Sequence, residues 1–400
     1  MLPFIKEKKD CTGCTACYSS CPLKCISMNE DEEGFLYPTA SDKCINCGLC
    51  QRVCPQLKNN SIGNDGIVQV AFAGVTRDNE VWRRSASGGA FSEICLAWGD
   101  DSTMFVGAAW DGLQVKHQCV IGIQNIGVLC KSKYIESSLC DVFSSVKNHL
   151  DQGGKALFCG TPCQVAGLKS YLKKDYTNLL LIDLICHGVG SPKVFSYCME
   201  VLGDQFGRKI ESYEFRAKKS VYEKDHIQKI KVNGLEYVYL ENDPYIQLFL
   251  RQDCLRASCG SNCKYRNENR EGDITIADYK GLQTVFPELI GVKKNYSSII
   301  VNTSKGASVV PQLNRSMKLL ESNLEDIKNH NPLFYRNTWN SESRDQFFDE
   351  FRGSPKETIE RRTRPAVIHK MSKKKVIYNI MPTFVRKCMI KLYNKIRGGI

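Results

Sequence analysis

A doubled cysteine run leaves the N-terminal segment of this chain little conformational freedom. Cys11-x2-Cys14-x2-Cys17-x3-Cys21-Pro22 is followed by Cys44-x2-Cys47-x2-Cys50-x3-Cys54-Pro55, the same spacing twice without a gap. Two intervening residues let successive thiolates turn around one face of an iron–sulfur cubane, while the fourth cysteine and its proline point to the neighbouring cubane. Cys11, Cys14, Cys17 and Cys54 are assigned to one 4Fe-4S cluster, and Cys44, Cys47, Cys50 and Cys21 to a second. Paired zinc sites would favour two Cys-x2-Cys pairs over eight evenly spaced cysteines. Cys25 falls one step outside the pattern and reads as a small packed residue. Gly34-Phe35-Leu36-Tyr37-Pro38, between the runs, supplies a β turn and apolar cover for an α+β ferredoxin-like domain over residues 1–58.

Composition sharpens this reading. Cysteine numbers 21 in 400 residues, nine of them before residue 58. The odd count, with no apolar stretch behind Met1 to Asp10 to serve as an export signal, argues against a disulfide framework and for metal or redox chemistry. The expected compartment is the cytoplasm. The longest apolar stretch, Leu179 to Cys186, is broken by Asp183 and too short to span a bilayer. Of the net charge of +12, almost all falls in residues 355–400, which carry thirteen Lys/Arg against two acids. The remainder is near neutral, so no nucleic-acid partner is expected.

After a linker over 58–66, the texture becomes α/β. Val68 to Val75 and Lys155 to Phe158 read as strands, and Leu179 to Ile185 as a buried one. Ala86 to Trp98, Pro162 to Leu172 and Pro192 to Leu202 have helical apolar spacing. Alternating strands and helices predict a larger α/β domain with a mixed sheet covered on both faces, over 66–354 with parts near 66–150 and 155–330. Residues 212–240 alternate like antiparallel β structure. The basic tail, 355–400, contains an amphipathic helix over 382–397. It fits packing on its own domain or a partner, or peripheral contact with an anionic membrane surface.

Cys254-x4-Cys259-x3-Cys263 forms a second set among polar and basic residues. A third 4Fe-4S cluster held by these three and a fourth cysteine, Cys163 or Cys186, is the preferred reading; a zinc site or reduced structural thiols are the alternatives. Glycine-rich turns follow candidate strands or open helices at 85–89, 159–163, 187–191 and 272–278. None is GxGxxG or a Walker A loop. A bare-backbone loop running into a helix N-terminus is nonetheless how a flavin phosphate is held.

Taken together, Arg84-Ser-Ala-Ser-Gly-Gly-Ala90, Gly160-Thr-Pro-Cys-Gln164, Cys186-His-Gly-Val189 and Gly272-Asp-Ile-Thr-Ile-Ala-Asp-Tyr279 resemble the coenzyme F420 hydrogenase/dehydrogenase beta subunit family. The resemblance runs from about residue 66 to 330. It implies an FAD-binding α/β domain with its own iron–sulfur cluster. Carried over by motif, Ser87, Gly88, Gly89, Gly160, Thr161 and Pro162 would line the flavin site. Ala277-Asp278 and Tyr279-Lys280-Gly281 depart from the family pattern, which argues against assuming a deazaflavin substrate. The expected function is an iron–sulfur flavoprotein oxidoreductase that passes electrons between the clusters and FAD to an organic or deazaflavin-like substrate. His187 is a candidate proton donor beside the flavin. The rival is an electron-transfer subunit that binds no substrate and serves a partner enzyme. Its partner would be an electron donor or acceptor protein.

Overall fold

The computed structural model describes residues 1–58, 69–218, 226–232, 234, 236–259, 263–335 and 341–370. The two cysteine runs fold around an antiparallel hairpin, β1 (Ile26–Glu30) and β2 (Leu36–Ala40). Each run carries one short helix, α1 (Ala16–Ser20) and α2 (Leu49–Arg52). Strands and helices then alternate as β3 (Val70–Thr76), α3 (Asn79–Arg84), α4 (Ala90–Trp98), β4 (Met104–Asp111), β5 (Gln114–Ile121), α5 (Val142–Asp151), β6 (Ala156–Cys159), α6 (Pro162–Leu172), β7 (Leu179–Leu184) and α7 (Pro192–Phe206). The remaining elements used below are β8 (Ile210–Lys218), β9 (His226–Val232), β10 (Glu236–Glu241), α8 (Pro244–Arg251), β11 (Ile274–Asp278), β12 (Ser297–Val301), β13 (Met317–Ser322) and β14 (Val367–Lys370).

The large sheet runs β13-β3-β12-β11-β7-β6-β4-β5. Strands β4, β6, β7 and β11 are parallel to their neighbours in that row, and the flanking pairs are antiparallel. This is the mixed, two-faced sheet that the alternation predicts. Its central strands β6 and β7 are buried on both sides, which is why they read as continuous apolar runs. The exception, Asp183, is fully buried and satisfied by the Glu271 amide (3.0 Å), Arg270 Nη2 (3.3 Å) and the Thr275 hydroxyl.

Proline at the first helical position starts α6, α7 and α8, after Thr161, Ser191 and Asp243. Ser191 Oγ accepts from the Val194 amide (3.1 Å), and Asp243 Oδ1 from the Ile246 amide (2.8 Å). The helix expected from Ala86 begins only at Ala90, because Gly89 takes a φ of 99° as its N-cap. The loop before it is stitched across the sheet. Ser87 Oγ donates to the Tyr296 carbonyl (2.8 Å), the Gly88 amide to Ser297 Oγ (2.9 Å), and the Thr76 amide to the Gly88 carbonyl (2.8 Å).

A second, antiparallel sheet of order β14-β10-β9-β8 takes up the alternating residues 212–240. Its edge strand β14 comes from the start of the basic tail. The amphipathic stretch 382–397 and the linker beyond Lys58 lie outside the described residues. Phe35 and Tyr37 of the N-terminal unit share one core with Phe195, Tyr245, Leu255 and Phe348, so the cysteine runs are packed onto the main body. Among the described residues no helix is long and apolar enough to cross a membrane.

A Cβ on Gly88 would lie 2.2 Å from the Gly74 carbonyl oxygen and 2.5 Å from the Ser297 nitrogen. Gly88→Ala is therefore expected to lower the thermal unfolding midpoint, overpacking of this kind costing roughly 1–3 kcal/mol. Gly127→Ala, whose Cβ meets nothing within 4 Å, should leave the midpoint nearly unchanged in the same scan.

Candidate functional site

Three groups of cysteines gather in space. Cys11, Cys14, Cys17 and Cys54 line one small cavity of about 20 Å³, with Thr15 on its wall. Burial pushes the Cys14 thiol up to about 12 and Cys17 well above its ordinary value, the neighbouring thiols adding to both. A metal that replaces the proton reverses that preference. The Gly13 amide donates to Cys11 Sγ at 3.5 Å. Cys44, Cys47 and Cys50 are charge neighbours in a second group, and Cys25 neighbours Cys44. Cys21 and Cys25 bring their sulfurs to 3.3 Å, so Cys25 sits beside this group although it lies outside the spacing pattern. Cys47 is exposed.

The third group draws on three separate elements. Cys163 lies in the first turn of α6, Cys186 just after β7, and Cys259 and Cys263 in the loop after α8. All four line a cavity of about 40 Å³. Both candidates for a fourth ligand are thus present together, and Cys254 is not among them. Cys254 is fully buried in the aromatic core, where its charge neighbours include Tyr245 and Cys198. Burial pushes Cys186 up to about 11 and Cys259 up to about 12. The Val189 amide donates to Cys259 Sγ at 3.4 Å.

Among the described residues no three His, Cys, Asp or Glu side chains close on a single metal-ion position. A cubane distributes its four thiolates over four irons and so spaces them more widely. The donor sets suit such a group, and two hydroxyls support the fit. Thr15 Oγ1 and the Tyr265 hydroxyl are buried without a partner, one on the wall of each small cavity. A buried hydroxyl left unpaired costs about 1–3 kcal/mol, and cluster sulfurs are acceptors for both.

The two small cavities share Thr12 and Gly13 as a wall. The second shares Thr161, Gln164, Cys186 and Gly188 with a cavity of about 610 Å³. That volume is of ligand size. It lies where β6, β7 and β11 end, at Cys159, Leu184 and Asp278, which is where open α/β sheets bind ligands. Ser87, Gly89, Gly160 and Thr161 line it. Gly88 and Pro162 do not: Gly88 is pressed on β3 and β12, and Pro162 faces the Cys163 quartet. The unprotected first turn of α4 and the start of α6 both meet the cavity.

His187 also lines the cavity. Its Nε2 stands 3.1 Å from the Phe249 carbonyl, and burial holds it below the ordinary histidine value. Sequence reasoning missed several lining residues. Lys133 donates to the Cys130 (2.6 Å) and Leu129 (3.1 Å) carbonyls, and burial brings it down to about 8. Arg216 Nη1 pairs with Asp278 Oδ2 at 2.7 Å. Behind the wall, Lys218 donates to the Trp82 (2.6 Å) and Ser87 (2.7 Å) carbonyls, fixing the glycine loop. No local signal marks Arg216 or Lys218, because strand alternation makes them look like solvent-facing residues.

His117, on the same wall, is buried and neutral. The tautomer that satisfies both contacts has Nε2–H donating to the Cys159 carbonyl (3.3 Å) and Nδ1 accepting from Ser137. Burial lowers its pKa to about 4 from an unfolded 6.5. Its contribution is full above pH 6.5 and drains as pH falls toward 4, a total of about 3 kcal/mol. Urea midpoints measured from pH 7 to 5 should fall with pH, and His117→Gln should flatten that slope.

Residues 153–327 match the family described as the C terminus of the coenzyme F420 hydrogenase/dehydrogenase beta subunit. Residues 10–57 match the 4Fe-4S dicluster domain. An uncharacterised ferredoxin from Methanocaldococcus jannaschii is 35% identical over 54 residues, which are 14% of this chain and 70% of that protein. A chain of the F420-reducing NiFe hydrogenase complex from Methanosarcina barkeri is similar at 14% identity and a TM-score of 0.40, over 74% of this chain and 89% of that one. The two matched segments account for the doubled cysteine run and for most of the walls of the Cys163 quartet: residues 153–327 carry the C-terminal region of the coenzyme F420 hydrogenase/dehydrogenase beta subunit family, and residues 10–57 carry a 4Fe-4S dicluster domain ahead of it.

Proposed function

We propose that this iron–sulfur electron-transfer protein conducts electrons from its N-terminal cluster pair, through a third cluster on Cys163, Cys186, Cys259 and Cys263, to FAD in the 610 Å³ cavity. The observation that carries this reading is the unbroken series of shared walls: the Cys11 quartet, Thr12 and Gly13, the Cys163 quartet, then Thr161, Gln164 and Cys186 on the large cavity. FAD would supply the exchange between single electrons and hydride equivalents. The chain's own residues would do the rest. The first turn of α4, which no side chain caps, presents amides to a pyrophosphate. Ser87, Gly89, Gly160 and Thr161 leave room for close approach, and Lys133 and Arg216 face an anionic ligand. His187, already hydrogen-bonded and held neutral, orients a ligand more readily than it delivers a proton at pH 7.

A second reading, in which the chain serves a partner oxidoreductase, is favoured by the outer end of the series. Cys47 is exposed there, and neighbouring Ile45 is 67% exposed, a surface suited to protein contact. The two readings share the wiring and differ in where the substrate binds.

Iron, sulfide, zinc and flavin measured on one anaerobic preparation test the proposal. About twelve irons and one flavin per chain are expected for three 4Fe-4S clusters and FAD. Cys259→Ser should remove about a third of the iron, whereas Cys254→Ser should keep it all and only destabilise the core. About eight irons in the native chain and no flavin after reconstitution with FAD would overturn both the third cluster and the flavin site.

A further inference from the structure

Arg256 is, after Trp82, the bulkiest fully buried side chain among the described residues. Its guanidinium lies in the seam between the Cys11 and Cys163 quartets, with Cys11 and Cys259 both among its charge neighbours. Nε donates to the Cys11 carbonyl at 2.9 Å and Nη2 to the Leu36 carbonyl at 2.9 Å. Nη2 also reaches Cys11 Sγ at 3.8 Å. Nη1 pairs with Glu136, whose Oε2 accepts from the Leu36 amide at 3.1 Å. The Tyr37 ring lies 4.2 Å from the guanidinium carbon. Gly13 closes the site, since a Cβ there would come within 3.1 Å of Nη1.

Packing alone does not account for this arrangement. Burying a guanidinium costs several kcal/mol that an apolar side chain of similar volume avoids. Its donors go to the Cys11 carbonyl and sulfur, the Leu36 carbonyl and Glu136. The pair forms a fixed dipole with its positive end at Cys11. Cluster potentials follow local charge and hydrogen bonds to sulfur.

We propose that Arg256 is a positioning residue that raises the reduction potential of the cluster held by Cys11, with Glu136 as its counterweight. Positive charge beside the thiolate stabilises the state with one more electron. That electron arrives from the neighbouring cluster and leaves toward the Cys163 quartet. No proton moves, because the guanidinium stays charged throughout. The inference rests on reading Cys11, Cys14, Cys17 and Cys54 as one cluster.

The test is a spectroscopically monitored redox titration of the anaerobically purified full chain, the Cys11 cluster being the signal lost in Cys11→Ser. Arg256→Met should lower its midpoint enough to change the reduced-to-oxidised ratio about tenfold, equivalent to 59 mV for one electron. Glu136→Gln, which keeps the volume and removes the counter-charge, should raise it. A merely structural role would not move the two variants in opposite directions. With iron content at the native level, unmoved midpoints or shifts of the same sign would overturn the proposal. Should Arg256→Met lose its clusters, Glu136→Gln decides alone: an upward shift supports the inference and none overturns it. A native chain with no signal sensitive to Cys11→Ser would overturn the cluster reading beneath it.

Discussion

The contact on which the remaining arrangement depends is between α6 and the first cysteine loop. A Cβ at Gly167 would stand 2.8 Å from Cys14 Cβ and 3.0 Å from its sulfur, so the helix backbone itself is packed on the Cys11 quartet. Glycine in a helix interior costs about 1 kcal/mol relative to alanine, which only close approach makes worthwhile. The same helix supplies Cys163 in its first turn and places its N-cap, Thr161, on the large cavity. One helix therefore touches the Cys163 quartet with its first turn, the Cys11 quartet at its middle, and the ligand-sized space as well. Displacing it would separate all three.

Charge holds the N-terminal unit in register with the main body. Glu33 pairs with Arg344, and Glu136 with Arg256, each ion pair buried at the seam. Arg344 Nε also donates to the Leu255 carbonyl at 2.7 Å, and Ser191 Oγ to the Glu33 carbonyl at 2.5 Å. Buried pairs of this kind add little net stability but make a shifted docking costly, because a partner left alone would be a desolvated charge. The apolar part of the seam, Phe35 and Tyr37 against Phe348 and Tyr245, supplies the burial that such pairs do not.

How much of this was readable follows from distance along the chain. The doubled cysteine run was legible because its ligands are set by local turns, and the strands from 156 to 184 because interior parallel strands are apolar throughout. The third quartet was legible only as candidates. Its members come from α6, the turn after β7 and the loop after α8, and chain spacing grouped Cys254 with Cys259 although the backbone turns Cys254 into the aromatic core. Gly88 and Gly89 look equivalent in sequence. Their functions divide by packing, one pressed between β3 and β12 and the other opening α4. Arg216, Lys133 and His117 carry no motif, since each reaches the cavity only through the closure of the sheet.

The wall between the Cys163 quartet and the large cavity explains why the loop after β7 reads Cys-His-Gly. Cys186 faces the quartet, His187 faces the cavity, and Gly188 must pass between them with a φ of 134°. A side chain there would come 2.8 Å from Leu255 Cδ1 and 3.2 Å from Cys259 Cβ. Both the backbone angle and the space exclude any other residue. With glycine the loop passes between the quartet and the cavity without adding a side chain at that point. A thicker wall would keep the same cysteines and the same cavity, but it would take away the adjacency on which the proposed electron path depends.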